Sequence, residues 1–200
     1  MSGTPLPGNP VWLRIAVLLL LALPTLKAQG SISSSGQSED RYVGLVLGTI
    51  RSESWMGASS PKAPFTTSTF SAFAGAKGGR HWGVEISLDG YGKFPTSDGS
   101  STWRRDVVSL TVSGLVRLPL TGSLSAYGRA GWTYWSASQG SRDPVLAPGE
   151  HAGDGTTPQV GLGLSLDLGR QWSLRAEGSV LAKVLNARVT RLGGGLAYHF

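Results

Sequence analysis

Eight times between Arg41 and Phe200 the chain runs through twelve or more residues in which one parity is mainly apolar and the other is mainly glycine, small polar or charged. Successive side chains on a strand point to opposite faces, so this period of two predicts strands with one apolar and one polar face. The last of them is the most constraining. Leu192, Leu196, Tyr198 and Phe200 share one parity with Gly194, while Arg191, Gly193, Gly195, Ala197 and His199 share the other. A strand ending on an aromatic residue, with no polar tail after it, needs a partner on both edges. Pairing back onto the first strand of the same chain closes a barrel.

Strands are expected over residues 41–52, 66–77, 81–93, 104–118, 123–136, 156–168, 171–183 and 188–200. The third sets Trp82, Val84, Ile86 and Leu88 against Gly83, Glu85, Ser87 and Asp89. The sixth sets Val160, Leu162, Leu164, Leu166 and Leu168 against Gln159, Gly161, Gly163, Ser165 and Asp167. Tight turns are expected at Gly78-Gly79-Arg80, Pro119–Gly122 and Gly169-Arg170. Longer Gly/Pro-bearing loops are expected over 53–64, 94–103 and 137–155, with a brief one near Leu185-Asn186. Tight and long connections therefore alternate, and the strand count is even.

Alternation alone does not say which face is inside. A soluble barrel would bury the apolar face, and the aromatic residues would then be core residues of a secreted sandwich or barrel. Three features favour the opposite assignment: an export signal, an apolar face too long and continuous for a small core, and aromatics gathered at strand ends. Trp82, Trp132, Tyr134 and Trp172, with Tyr198 and Phe200, read as interfacial girdles around a membrane band. The interior of an eight-stranded barrel has room only for side chains. It would then hold Glu85, Asp89, Arg117, Arg129, Asp167, Arg175, Glu177 and Lys183, four acids and four bases, as a desolvated interior requires.

The export signal lies in residues 1–28. An apolar run from Ile15 to Leu23 follows Arg14 and precedes Pro24 and a small residue, Ala28. The run is too short to cross a bilayer as a helix, which takes about 20 residues, and it has the three-part secretory pattern. Cleavage is expected after Ala28, with Ala22 as the alternative. Residues 29–40 read as a polar linker and 41–200 as the barrel. The chain carries a formal charge of +6, and losing Arg14 and Lys27 leaves +4. Its Lys and Arg residues are scattered singly, which argues against a nucleic-acid partner. There is no cysteine, so no disulfide, thiolate metal site or thiol nucleophile is available.

At several strands the pattern becomes a resemblance. Ser71-Ala-Phe-Ala-Gly, the turn, and Trp82-Gly-Val-Glu-Ile-Ser-Leu-Asp-Gly-Tyr-Gly-Lys93 resemble a hairpin of the OmpA-like transmembrane domain. So do Tyr127-Gly-Arg-Ala-Gly-Trp, Leu174-Arg-Ala-Glu-Gly and the closing Tyr-His-Phe. The resemblance implies an all-β, eight-stranded, antiparallel up-and-down barrel in a bacterial outer membrane, with tight turns in the periplasm and long loops outside the cell. It implies outer-membrane lipid as the surroundings and insertion by the barrel assembly machinery, with Phe200, Tyr198 and Leu196 as the assembly signal. By position it makes Glu85 and Arg175 the ion pair that plugs the lumen, with Arg129 and Glu177 in the same network. The family's alternative partner, a lysine on the fourth strand, is matched here by Ser113, with Arg117 on the same face. The family's periplasmic peptidoglycan-binding domain has no counterpart before Phe200.

Three functions follow as candidates. The first is a structural or surface-interaction protein, expected as a monomer without cofactor or metal. The second is a narrow pore plugged by ion pairs. The third is an enzyme at the barrel rim, for which His151, Asp154 and Asp143 could be drawn as a base and its orienting acids. A histidine in a Gly/Pro-rich loop is more often solvated, and no nucleophile with a positioned base is evident. His81 and His199 have no partner at metal-ligand spacing. The glycine pairs at Gly161–Gly163 and Gly193–Gly195 precede no helix, so they are strand glycines and not phosphate loops.

Overall fold

A computed structural model describes residues 40–54, 65–97, 102–140, 150–184 and 187–200. The expected signal and nearly all of the linker, Asp143 and the loop tips fall outside the described residues, as does the side chain of His151. Among the described residues there are eight strands: β1 (Asp40–Ser54), β2 (Phe65–Lys77), β3 (Trp82–Ser97), β4 (Thr102–Pro119), β5 (Leu124–Gly140), β6 (Glu150–Leu168), β7 (Trp172–Val184) and β8 (Ala187–His199). Each pairs antiparallel with the next, and β8 pairs back onto β1 from Tyr42↔His199 to Ser54↔Ala187. The sheet is a closed barrel, so through its middle every strand pairs on both sides; β3 beyond Tyr91 and β6 before Gln159 pair only with β4 and β5 respectively.

The hairpins at one end are tight because their turn residues permit it. Gly79 (φ 136°) and Gly169 (φ 82°) hold backbone conformations that an L side chain resists. In the turn after β4, the Thr121 hydroxyl accepts from the Leu124 amide at 3.0 Å, a local bond that replaces glycine chemistry. At the other end the strands run further than the sequence suggests. β3 and β4 pair out to Ser97↔Thr102, and β5 and β6 pair out to Gln139↔Glu150. Much of the expected loops 94–103 and 137–155 is thus strand. Proline and glycine there read as breakers, yet barrel pairing absorbs them through irregularities at Tyr91/Phe94 and Ala137/Ser138. About 9–11 tilted residues cross a bilayer, so the 18 residues of β4 and 19 of β6 extend beyond it.

The two parities separate inside from outside as the membrane assignment requires. Leu47, Val84, Val112, Val116, Leu118, Val160, Leu162, Leu174 and Leu192 are exposed on the outer wall. Glu85, Asp89, Ser109, Thr111, Arg129, Gln159, Arg175, Glu177 and Arg191 are buried inside it. A continuous apolar exterior around a charged interior is the inverse of a soluble fold and suits a hydrocarbon solvent.

One interior assignment is corrected. Lys183 is exposed on the outer wall, whereas Val184 is buried. The β7–β8 register shifts between Leu181 and Val184, a bulge that adds a residue and reverses parity beyond it. At the bulge the Lys183 amide turns inward and donates to Thr157 Oγ1 at 2.9 Å. A strict count of two along β7 places the side chain on the wrong face for this reason.

Candidate functional site

Among the described residues, three carboxylates and three guanidinium groups meet in the middle of the barrel. Glu85 on β3 accepts from Arg175 Nη1 at 2.6 Å, from Arg129 Nη1 at 3.4 Å and from the Tyr42 hydroxyl at 3.2 Å. Glu177 on β7 accepts from Arg129 Nη1 at 3.3 Å, from the Tyr127 hydroxyl at 3.0 Å and from Arg191 Nη2. Asp89 on β3 accepts from Arg191 Nη1 and from the Ser71 hydroxyl at 2.5 Å, with Ser87, Ser109 and Thr111 hydroxyls 3.2–3.3 Å away. Arg129 and Arg191 each bridge two acids, so the six charges form one connected chain. Buried ions are tolerated when paired and hydrogen-bonded in this way, and a broken member leaves its neighbour exposed to the full desolvation cost.

Neighbouring strands make room for these side chains. Glu85 lies opposite Gly75 and Ser113, Glu177 opposite Gly163 and Gly193, Arg175 opposite Ser165 and Gly195, and Asp89 opposite Ser71 and Ser109. Tyr42 and Tyr127 pair with Gly75 and Gly163, whose missing Cβ atoms would each lie 2.4 Å from the tyrosine ring. A narrow barrel can hold large inward groups only where flanking positions are small. Arg175 is further enclosed by the rings of Phe73, Tyr42 and Tyr127, at 4.5, 4.7 and 5.3 Å from its guanidinium carbon. These contacts stabilise a cation while shielding it from solvent.

Towards the loop end the lumen changes character. Ile50, Tyr91, Val107, Trp135, Ala137, Leu181, Val184 and Val189 form a buried apolar cluster inside the barrel. Between it and the charges lies a belt of neutral bonds: Thr111 to Thr133 at 2.8 Å, Thr133 to Gln159 at 3.1 Å and Gln159 to Ser179 at 3.0 Å.

At the tight-turn end, a chain of contacts crosses the seam where β8 meets β1. Lys77 on β2 pairs with Asp40 on β1, Asp40 lies 3.0 Å from His199 Nδ1 on β8, and His199 Nε2 lies 2.9 Å from Ser173 Oγ on β7. The Ser173–His199–Asp40 order is that of a hydrolase triad. Ser173, however, is 0% exposed, so no acyl group can reach its oxygen, and the arrangement acts as a clasp over four strands. Arg117 bonds Ser165 at 3.1 Å and reaches Asp167 at 3.4 Å on the same rim.

The structure places Glu85, Asp89, Arg129, Arg175 and Glu177 in the central network and puts Arg117 with Asp167 at its mouth. Ser113 is buried opposite Glu85, and Arg129, reaching in from the next strand, supplies the second cation there. Arg191 completes the network although the sequence reading passed it over. Its parity on β8 is the sequence signal for it, and in the four-and-four charge balance read from the sequence Lys183 takes its place. Trp82, Trp132, Tyr134 and Trp172 all face outward. Trp172 meets Tyr198 edge-on at 5.0 Å, and Tyr198 stacks with Phe200 at 6.5 Å, so the tight-turn rim carries an aromatic group. Leu196 and Phe200 are exposed on that same outer wall. Asp154 is exposed and accepts from the Tyr134 hydroxyl at 3.2 Å.

A closed eight-stranded barrel with an apolar exterior and a charge-filled interior defines a transmembrane β-barrel protein. The outer membrane protein β-barrel domain matches residues 15–200. The chain belongs to that family. No curated protein sequence matches it. Its fold is similar to that of neisserial surface protein A (TM-score 0.64, 14% identity), covering 80% of this chain and 97% of that one. It is similar to Ail, the attachment invasion locus protein of Yersinia pestis, solved with the heparin analogue sucrose octasulfate (TM-score 0.58, 15% identity, 82% and 100% covered). It is also similar to OprG of Pseudomonas aeruginosa (TM-score 0.58, 11% identity, 83% and 98% covered). At such identities the likeness is one of fold.

Proposed function

We propose that this outer-membrane barrel is a non-conducting, non-enzymatic protein with a structural or surface-interaction role. On this reading the connections between β1 and β2, β3 and β4, and β5 and β6 face outside the cell and carry whatever contacts it makes there. The observation that carries it is the double filling of the lumen, with a charged network at mid-height and an apolar cluster above it. An ion following the lumen would have to displace paired charges and then enter a constriction that water leaves readily. The narrow pore is the competing reading, and it draws on Glu85 having two arginine partners between which it could switch.

Planar-bilayer recording separates the two. We expect no unitary conductance from the wild-type barrel and none from Arg175→Ala, because the apolar cluster remains in place when that ion pair is lost. Discrete channel steps in the wild type, or steps that appear on losing Arg175, would overturn the closed-barrel reading in favour of the pore.

A further inference from the structure

The tight-turn end of the lumen holds a cleft of about 30 Å³. Lys77, Arg80, Arg117 and Arg175 line it together with Ser165, and among the described residues no carboxylate does. Three of these cations have an acid elsewhere: Lys77 pairs with Asp40, Arg117 with Asp167 and Arg175 with Glu85. Glu85 is shared with Arg129, but Arg129 also meets Glu177, and the central network balances three acids against three guanidinium groups. Arg80, exposed in the turn between β2 and β3, has no acid partner among the described residues. Four cations against three acids leave the cleft with one positive charge in excess.

The cleft also has donors without acceptors. Arg175 is only 8% exposed, and its Nε is buried with no hydrogen-bond partner. The buried Ser165 hydroxyl accepts from Arg117 Nη2 at 3.1 Å, which leaves its own proton to give. The Tyr42 and Tyr127 hydroxyls of the same walls are already committed to Glu85 and Glu177. A buried donor left without an acceptor carries its full desolvation cost. A water would accept from these donors, but only an anion also offsets the charge of Arg80. Size then sets the class of anion. One water takes roughly 10–15 Å³ on this measure, so the cleft admits a group of about two waters' volume, a halide and not a larger organic anion.

We propose that Arg80, Ser165 and Arg175 form a binding site for one chloride-sized monovalent anion at the tight-turn end of the lumen. Arg80 supplies the unmet charge, Arg175 Nε a charge-assisted donor and Ser165 a neutral one. Lys77 and Arg117, each held by its own acid, add positive potential around the same cleft. The site goes beyond the structural role proposed above and does not rest on it, because an anion held there need not pass the Arg175–Glu85 pair.

The test is the thermal unfolding midpoint of the full barrel in a zwitterionic detergent, read from heat-modifiable gel migration. It compares sodium chloride with sodium gluconate at the same ionic strength, since gluconate is monovalent but too large for the cleft. Chloride is expected to raise the midpoint by about 2–4 °C over gluconate. Arg80→Gln is expected to lose that gap, and Ser165→Ala, which removes a donor and no charge, to narrow it. Equal midpoints in the wild type would overturn the proposal. So would a gap that survives in Arg80→Gln, which would mark it as a general salt effect, or one left unchanged by Ser165→Ala. If Arg80→Gln gives no heat-modifiable form, Ser165→Ala alone decides by the same criterion. A wild type with no heat-modifiable form in either salt would instead refute the folded barrel, and the site with it.

Discussion

At mid-height the barrel is filled with charge, and towards the loops it is filled with hydrocarbon. Both regions exclude water from a lumen of the same strands, but they do so on different terms. The Arg175–Glu85–Arg129–Glu177–Arg191–Asp89 chain fills its layer only while every member keeps its partners. The cluster of Ile50, Val107, Leu181, Val184 and Val189 requires no particular pairing, only volume. The charged layer therefore specifies one geometry and is intolerant of single losses, whereas the apolar layer seals by packing and degrades gradually.

The sharpest way to break this comparison is Arg191→Met. It strips both Asp89 and Glu177 of a bridging cation, and a loss of about 3–5 kcal/mol is expected in urea unfolding of the vesicle-inserted barrel. Adding Asp89→Ser should return part of that loss, since it removes one of the two orphaned acids. A double variant less stable than the single would show that charge pairing is not what holds this layer. Next in size is Leu181→Ala, which empties part of the apolar cluster from a fully buried position. About 2–4 kcal/mol is expected by the same measurement, and an effect below 1 kcal/mol would mean the layer collapses freely and seals nothing. The smallest effect belongs to the rim. Arg117→Gln loosens a pair whose acid is 37% exposed, and the change should stay within about 1 kcal/mol. A larger loss would extend the intolerant network down to the tight-turn mouth.

Much of the site was legible because the period of two runs through Glu85, Asp89, Arg129, Arg175 and Glu177 without interruption. Each of these faces the lumen where the count puts it. Besides Arg191, two features escaped because each interrupts the simple alternation. Lys183 lies in a bulge, which no residue of β7 announces. The apolar cluster is built from inward positions near strand ends, such as Val107 and Val189, where the polar parity gives way to hydrocarbon. On a single strand these look like faults in the pattern, and only the closed barrel brings them to one height.

By itself the sequence determined the strands, their number, the tight turns and the apolar exterior, because alternation and turn chemistry act over a few neighbouring residues. It also marked which charges share the inner face. What tertiary structure decided was partnership. Arg191 meets Asp89 across 102 residues and Arg175 meets Glu85 across 90, distances over which stagger and closure, and no local preference, choose the neighbours. The same closure decides the fate of the final strand: pairing with β1 turns the Tyr198 and Phe200 face to the membrane and sets His199 in the clasp that joins the barrel's first and last strands.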